Sequence, residues 1–136
     1  MTDLQFAKQN LEGHTISLYK GNACFLSEKR GIAPMMGFIA DGIDLSGWCV
    51  ADIVVGKAAA LLFVKCGIAG VYAKTLSESG KKVLEKYNIP CEYETLTERI
   101  INRAGTDTCP MEKTVFDTDD PEEAYVLLKN KLQSIG

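Results

Sequence analysis

Residues 47–67, GWCVADIVVGKAAALLFVKCG, are the stretch around which we expect the rest of this chain to be organised. Apolar residues fill nearly every position from 51 to 66, and this pattern predicts one helix, Ala51–Cys66, that is apolar on nearly all sides. Such a helix is buried and does not lie on a surface. At about 1.5 Å per residue it would be about 24 Å long, close to the width of a small domain. We therefore expect it to form the centre of the core.

Two charged side chains, Asp52 and Lys57, interrupt this apolar stretch. Asp52 would lie in the first turn, as a partner of the helix dipole or as part of a site. Lys57 would lie in the second turn, where its ammonium must reach a carboxylate, a ligand anion or the surface. A desolvated lysine binds anions or, with a lowered pKa, acts as a nucleophile or base. Five positions separate the two residues, so helix geometry does not make them neighbours.

The rest of the chain alternates between strand and helix patterns. Before residue 47 we predict a helix (3–11), a hairpin turning at Gly21 and Asn22 (14–26) and a helix (32–40). After residue 67 we predict a strand (69–74), a helix capped by Ser77 (78–87), a strand near a sheet edge (91–96), a helix from Thr97 to Arg103, a strand (114–116) and a helix from Pro121 to about Gln133. The alternation indicates one α/β domain over residues 1–136, a three-layer α/β/α sandwich around a mixed sheet.

The last predicted helix has an apolar face that we expect to be buried. This face consists of Ala124, Leu127, Leu128 and Leu132.

A polar loop before that helix gathers further candidate site residues. Asn102, Arg103, Asp107, Cys109 and Glu112 lie on it or beside it. Loops held by a rigid scaffold often carry function. Cys109 precedes Pro110 at a predicted helix start, where a thiolate is stabilised, and Glu112 is placed as a capping-box acid of the same helix. We take Asn102, Arg103 and Cys109 as candidate ligand-binding residues. Cys109 and Glu112 are also candidate catalytic groups.

Composition and charge exclude several classes of protein. The formal charge is −3, and no cluster of Lys and Arg with interleaved aromatic residues indicates a nucleic-acid partner. The longest uninterrupted apolar run, residues 58–64, is too short to cross a bilayer. The five cysteines form an odd set without a C-x-x-C pair, and Met1 leads directly into a polar helix. We therefore expect reduced thiols in a cytoplasmic protein.

Four segments carry a resemblance to a known family. They are GIAPMMGFIADG (31–42), ADIVVGKAAALLFVKCGIAGVYA (51–73), VLEKYNI (83–89) and IINRAGTDTCPME (100–112). With them the chain resembles a small uncharacterised bacterial family, a domain of unknown function assigned to the cytidine deaminase-like fold. The resemblance implies that fold and no particular activity. Because deaminase-like domains commonly associate, it also implies a homo-oligomer.

The sequence departs from the zinc deaminases at the metal ligands. Those enzymes carry His or Cys, with Glu two residues on, at the start of the central helix, and P-C-x-x-C at the start of the next helix. Here the first position offers Cys49 and Asp52, which are three residues apart, and the second falls in TLSESGKKV (75–83), without Cys or His. A catalytic zinc needs three protein ligands. We therefore expect no zinc, no other cofactor and no zinc deaminase activity.

Three functions remain open at this point. The first is a small-molecule binding module for a nucleoside, a nucleotide or another anion, with Asp52, Lys57 and the 102–112 loop lining the pocket. The second is a metal-free enzyme with Lys57 or Cys109 as nucleophile and Asp52 or Glu112 as acid or base. The third is a structural or interaction protein that forms homo-oligomers.

Overall fold

The computed structural model of the protein describes residues 1–102 and 104–135. In this part of the chain six helices and five strands follow one another as α1 (Asp3–Asn10), β1 (Ile16–Lys20), β2 (Ala23–Ser27), α2 (Ala33–Ala40), β3 (Cys49–Val55), α3 (Lys57–Lys65), β4 (Gly70–Ser77), α4 (Glu78–Lys86), β5 (Cys91–Thr97), α5 (Pro110–Thr114) and α6 (Pro121–Ile135). None of these helices is both long and apolar enough to pass through a bilayer.

The strands form one mixed sheet in the order β2-β1-β3-β4-β5. β1 pairs antiparallel with β2 and with β3, whereas β3, β4 and β5 are parallel to one another. Helix α3 connects β3 to β4, and α4 connects β4 to β5, as parallel neighbours require. The predicted α/β class, the mixed sheet and the position of β5 at a sheet edge are confirmed.

The predicted single helix Ala51–Cys66 is wrong. Its first part is β3, the central strand, and only residues 57–65 form helix α3. The run Ile53-Val54-Val55 is β-branched and therefore favours a strand. A central strand that is covered on both faces of the sheet reads as a nearly continuous apolar run, which periodicity alone does not separate from a buried helix. Gly56 ends the strand and is the N-cap of α3.

This correction moves both charged residues. Asp52 lies in the middle of β3, opposite Ile16 of β1 and Ala73 of β4, and not in a first helical turn. Lys57 is the first residue of α3 and not part of a second turn.

Two predicted elements after β5 are also wrong. Residues 98–102 form bends and a single bridge between Ile101 and Thr108 instead of a helix from Thr97, and Arg103 lies outside the described residues. Residues 114–116 do not form a strand, because Thr114 is the last residue of α5 and the next two residues form a turn. In α6, Ala124 and Leu128 are buried and Leu132 is partly buried, but Leu127 is exposed.

Buried clusters lie on both faces of the sheet. Val50 belongs to the main core, which includes Leu61, Leu62 and Phe63 of α3. Its neighbour Ala51 points to the opposite face, where it packs with residues of α1. Helix α3 contacts α2, α4, α5 and α6, so most of the helical packing is organised around it. The expectation that a buried helix forms the centre of the core therefore holds for α3.

Candidate functional site

The turn from β3 to α3 receives a carboxylate from a distant part of the chain. Glu112 Oε1 accepts a hydrogen bond of 2.7 Å from the N–H of Lys57, and Oε2 accepts one of 2.8 Å from the N–H of Ala58. The N-cap of α3 is Gly56, which has no side chain to do this. Glu112 therefore caps α3 instead of its own helix, contrary to the expected capping box.

Glycines allow this close approach. A Cβ atom at Gly56 would lie 2.1 Å from Glu112 Oε1, and one at Gly80 would lie 3.0 Å from the carbonyl carbon and oxygen of Gly56. The start of α4, where Ser77 Oγ accepts from the N–H of Gly80, therefore packs directly against the start of α3. Burial raises the pKa of the Glu112 carboxyl, while the hydrogen bonds from Ala58 and Lys57 act in the opposite direction.

The side chain of Lys57 holds the connection between α5 and α6. Its Nζ donates to the carbonyl oxygen of Phe116 at 3.0 Å and lies 3.1 Å from Asp119 Oδ1. Asp119 Oδ2 is 3.8 Å from Nζ of Lys86. The hydrogen bond from Lys57 is the main cause of a lowered pKa at Asp119. Of the three destinations predicted for the Lys57 ammonium, it reaches a carboxylate.

A cleft of about 630 Å³ opens where the three parallel strands end. Lys57 follows β3, Ser79 follows β4, and Glu98 and Arg99 follow β5. The opposite wall comes from the segment around α5 and consists of Thr108, Glu112, Lys113, Phe116 and Asp117. Open α/β sheets bind ligands outside the carboxyl ends of their strands, and the volume lies in the range of small-molecule sites.

The cleft combines an aromatic ring with charged groups that are not neutralised inside the protein. Phe116 is 76% exposed, a high value for a phenyl ring. The Arg99 guanidinium donates to Thr108 Oγ1 at 3.0 Å. Within the described residues, neither Arg99 nor the carboxylates of Glu98 and Asp117 form a salt bridge. The cleft therefore offers an apolar face, a planar donor and two acceptors.

The loop between β5 and α5 is organised by its own hydrogen bonds. Asn102 Oδ1 accepts a hydrogen bond from the backbone N–H of Thr106 at 3.0 Å. The backbone N–H of Asn102 donates to the carbonyl oxygen of Asp107 at 2.8 Å. Asn102 therefore closes the tip of this loop and does not line the cleft. Asp107 pairs with Lys113.

Cys109 is the N-cap of α5, as its position before Pro110 predicts. It lines a smaller cavity of about 90 Å³ together with Glu112, Val54 and Ile100. Glu112 and Ile100 also line the cleft, so the two spaces are adjacent. The structure thus brings Lys57, Glu112 and Cys109 to one region of the molecule.

Asp52 is apart from this group. It is buried on β3 and is not among the residues that line the cleft or the smaller cavity. Burial raises the pKa of its carboxyl to about 8, against an opposing contribution from the backbone N–H groups of Ile53 and Val54. At neutral pH the side chain is therefore mostly the uncharged acid, as its position in an apolar sheet requires.

The residues at the two helix starts do not fit a zinc ion. Cys49 and Asp52 lie in β3 and not at the start of a helix, which begins only at Lys57. Gly56, Lys57 and Ala58 provide no thiolate, imidazole or carboxylate, and the start of α4 provides two serine hydroxyls and one carboxylate, that of Glu78, which is fewer than the three ligands that zinc needs. Across residues 1–102 and 104–135, no group of three or more His, Cys, Asp or Glu residues is arranged to hold a metal ion.

Sequence reasoning missed Arg99, Phe116 and the glycine pair at positions 56 and 80. If residues 49–55 are assigned to a parallel strand, the ends of β3, β4 and β5 lie at one edge of the sheet. That assignment would have pointed to Arg99, which follows β5. Phe116 gives no such signal, since its exposure depends on how α5 packs.

Comparison with known proteins identifies a family. The chain is similar to a DUF1893 family protein (TM1506) from Thermotoga maritima, whose crystal structure superposes with a TM-score of 0.87 at 28% sequence identity over 96% of this chain and 91% of the other. No curated protein matches the chain. Residues 6–132 match the family TM1506, a domain of unknown function (DUF1893). The chain therefore belongs to the DUF1893 family of domains of unknown function.

Proposed function

We propose that this protein binds a small planar molecule of the nucleoside class in the cleft at the carboxyl ends of β3, β4 and β5. The observation that carries the proposal is the exposed ring of Phe116 on the wall of a cleft of about 630 Å³. A phenyl ring left in water is unfavourable, and in a cleft it supplies a stacking surface for a flat ligand.

The polar groups of the cleft complement the edge of a nucleobase. Arg99 donates in a plane to ring nitrogen and carbonyl acceptors. The carboxylates of Glu98 and Asp117 accept from an exocyclic amino group, and the hydroxyls of Ser79 and Thr108 serve in either direction. A nucleobase presents donors and acceptors along one edge and two apolar faces, so it matches this mixture better than a simple anion does.

The proposal includes the cytidine deaminase-like fold, a three-layer sandwich, without its zinc site. The observed hairpin followed by β3, buried α3, β4, α4 and β5 supports this assignment. The buried clusters on both faces of the sheet support the layers. The cytoplasmic location remains part of the proposal, supported by five free thiols. The homo-oligomer remains a prediction.

The test is calorimetric titration with nucleobases and nucleosides, comparing wild type with Phe116→Ala. We expect at least one nucleoside to bind, and the variant to bind it about 5- to 150-fold more weakly, because stacking on an aromatic side chain contributes about 1–3 kcal/mol per base. The fold should be retained, since the Phe116 ring is 76% exposed and its backbone oxygen still accepts from Lys57.

Val126→Ala is the matched control. Val126 is 54% exposed on α6 and does not line the cleft. Val126→Ala should therefore leave the affinity for the nucleoside unchanged. Absence of binding across the panel, or equal losses in both variants, would rule out the proposed site.

A metal-free enzyme in the same region is a second candidate. The favouring observation is that Cys109 and Glu112, whose carboxyl pKa is raised, line one cavity beside the cleft. Cys109 would be the nucleophile and Glu112 the acid or base, while Lys57 is engaged by Asp119 and Phe116. Alkylation of Cys109 much faster than that of exposed Cys24 near neutral pH would support this candidate, and alkylation no faster would remove it.

A further inference from the structure

A second cavity, of about 160 Å³, adjoins the cleft, and half of its lining residues are lysines. Its walls are Lys57, Ser79, Lys82, Val83, Lys86 and Asp119, and we call it the lysine pocket. Lys57 and Ser79 also line the cleft, so the two spaces share a wall. The volume is far above the ~10–15 Å³ that a single water molecule needs.

The lysine pocket holds more positive than negative charge. Three lysines and one aspartate line it, and the carboxylate is shared: Asp119 lies 3.1 Å from the Lys57 ammonium and 3.8 Å from that of Lys86. Within the described residues Lys82 forms no salt bridge. The side chain of Lys57 is only 14% exposed, so water screens its charge poorly. An anion is the group that complements this arrangement.

We propose that the lysine pocket binds the phosphate group of a ligand whose base lies in the cleft, so that the ligand is a nucleotide. This inference rests on the proposed function of the cleft. A phosphate monoester carries about −1.5 to −2 charges at neutral pH, which balances three lysines and one aspartate. Ammonium groups form charge-assisted hydrogen bonds with phosphate oxygens, and these are about twice as strong as neutral ones.

We assign the cleft and the lysine pocket to one ligand molecule because they share a wall. Lys57 and Ser79 stand between the base site and the lysine pocket, and a sugar-phosphate would pass beside them. The cleft itself is balanced in formal charge, with Lys57, Arg99 and Lys113 against Glu98, Glu112 and Asp117. The excess positive charge is therefore confined to the lysine pocket.

The test compares the affinity of each nucleoside with that of its 5′-monophosphate, and includes inorganic phosphate alone. For wild type we expect the monophosphate to bind at least about tenfold more tightly than the nucleoside. The reason is that hydrogen bonds between lysine ammonium groups and phosphate oxygens add to the binding free energy more than bonds between neutral groups do. Lys82→Met should remove most of this difference and leave nucleoside affinity unchanged. Lys82 is exposed and forms no salt bridge within the described residues, so the variant should fold.

Two further variants test whether the advantage of the monophosphate depends on the charges of the lysine pocket. Lys29→Met changes the same charge beside β2, at the opposite edge of the sheet, and should preserve the advantage of the monophosphate. Asp119→Asn removes the carboxylate that neutralises Lys57 and Lys86, and should increase that advantage. Thermal unfolding of each variant would confirm that the fold is intact.

Equal affinity for nucleoside and monophosphate would overturn this inference and leave the proposed function of the cleft standing. Inorganic phosphate binding as tightly as the nucleotide, with the same dependence on Lys82, would overturn the assignment of both spaces to one ligand. Loss of the phosphate advantage in Lys29→Met as well would show a general charge effect and overturn the site. If the proposed function of the cleft is wrong, nucleosides will not bind at all, and this result is distinct from the outcomes above.

Discussion

Gly56 stands at the start of α3, which is capped by the Glu112 carboxylate from a distant part of the chain. Its missing side chain leaves the space that Glu112 Oε1 occupies, and it lies within contact distance of Gly80. Helices normally obtain a cap from a residue next to them in sequence. Here the cap comes from α5, more than fifty residues later, so it also ties the wall of the cleft to the end of β3.

We expect Gly56→Ala to lower the free energy of unfolding by about 2–4 kcal/mol. The added methyl group would displace the Glu112 carboxylate, which combines overpacking with the loss of two charge-assisted hydrogen bonds. Urea denaturation would measure the change. Gly37→Ala in α2 is the control, because a Cβ there meets nothing within 4 Å and the substitution should be neutral or slightly stabilising. A Gly56→Ala protein as stable as Gly37→Ala would contradict the role given to Glu112.

At the scale of elements, α6 depends on one apolar face that packs against α3. Helices of about 15 residues are marginal in water unless such a face is buried. Ala124 and Leu128 are buried there, and Lys65 of α3 pairs with Glu122 at 2.6 Å. The neighbouring side chain of Leu127 is 37% exposed, although the apolar pattern suggested that it would be buried.

Leu128→Ala and Leu127→Ala form a matched pair on this helix. We expect Leu128→Ala to lower the free energy of unfolding by about 2–5 kcal/mol, since it leaves a cavity in the main core. Leu127→Ala should cost less than about 1 kcal/mol, because much of its side chain already meets water. The midpoint of urea unfolding measures both changes. Similar losses in the two variants would mean that α6 packs in another orientation.

At the scale of the whole molecule, the buried Asp52 couples stability to pH. Its carboxyl has a pKa of about 8 in the folded protein, against an ordinary value of 3.8. Between these values the folded state binds a proton that the unfolded state has released, so the free energy of unfolding falls as pH rises. The favourable contribution is complete below about pH 4 and is lost as the pH passes 8.

We therefore expect Asp52→Asn to gain stability relative to wild type as pH rises from 5 to 8. The difference should grow by up to about 1.4 kcal/mol per pH unit in the middle of this range. Urea unfolding of both proteins at pH 5, 6, 7 and 8 would measure it. The difference between the proteins removes the contribution of other groups, including Glu112, whose raised pKa acts in the same direction. A difference that does not change with pH would mean that Asp52 is ionised in the folded protein.

Local amino-acid patterns were enough to predict the α/β class, the hairpin at Gly21, the cap of α4 at Ser77 and the start of α5 at Pro110. Each depends on neighbours in sequence: turn residues, capping hydroxyls and the fixed φ of proline act over a few positions. The sequence also pointed to Lys57, Cys109 and Glu112, which the fold brings to one region.

Packing in three dimensions made residues 49–55 the central strand, because an apolar run fits a buried helix and a buried strand equally well until its neighbours are known. It also decided that Glu112 caps α3, that Phe116 is exposed, and that Lys57, Lys82 and Lys86 share one cavity. These properties join residues far apart in the chain, and the packing of α5 and α6 against the ends of parallel strands produces them. Local sequence patterns carry no information about such packing.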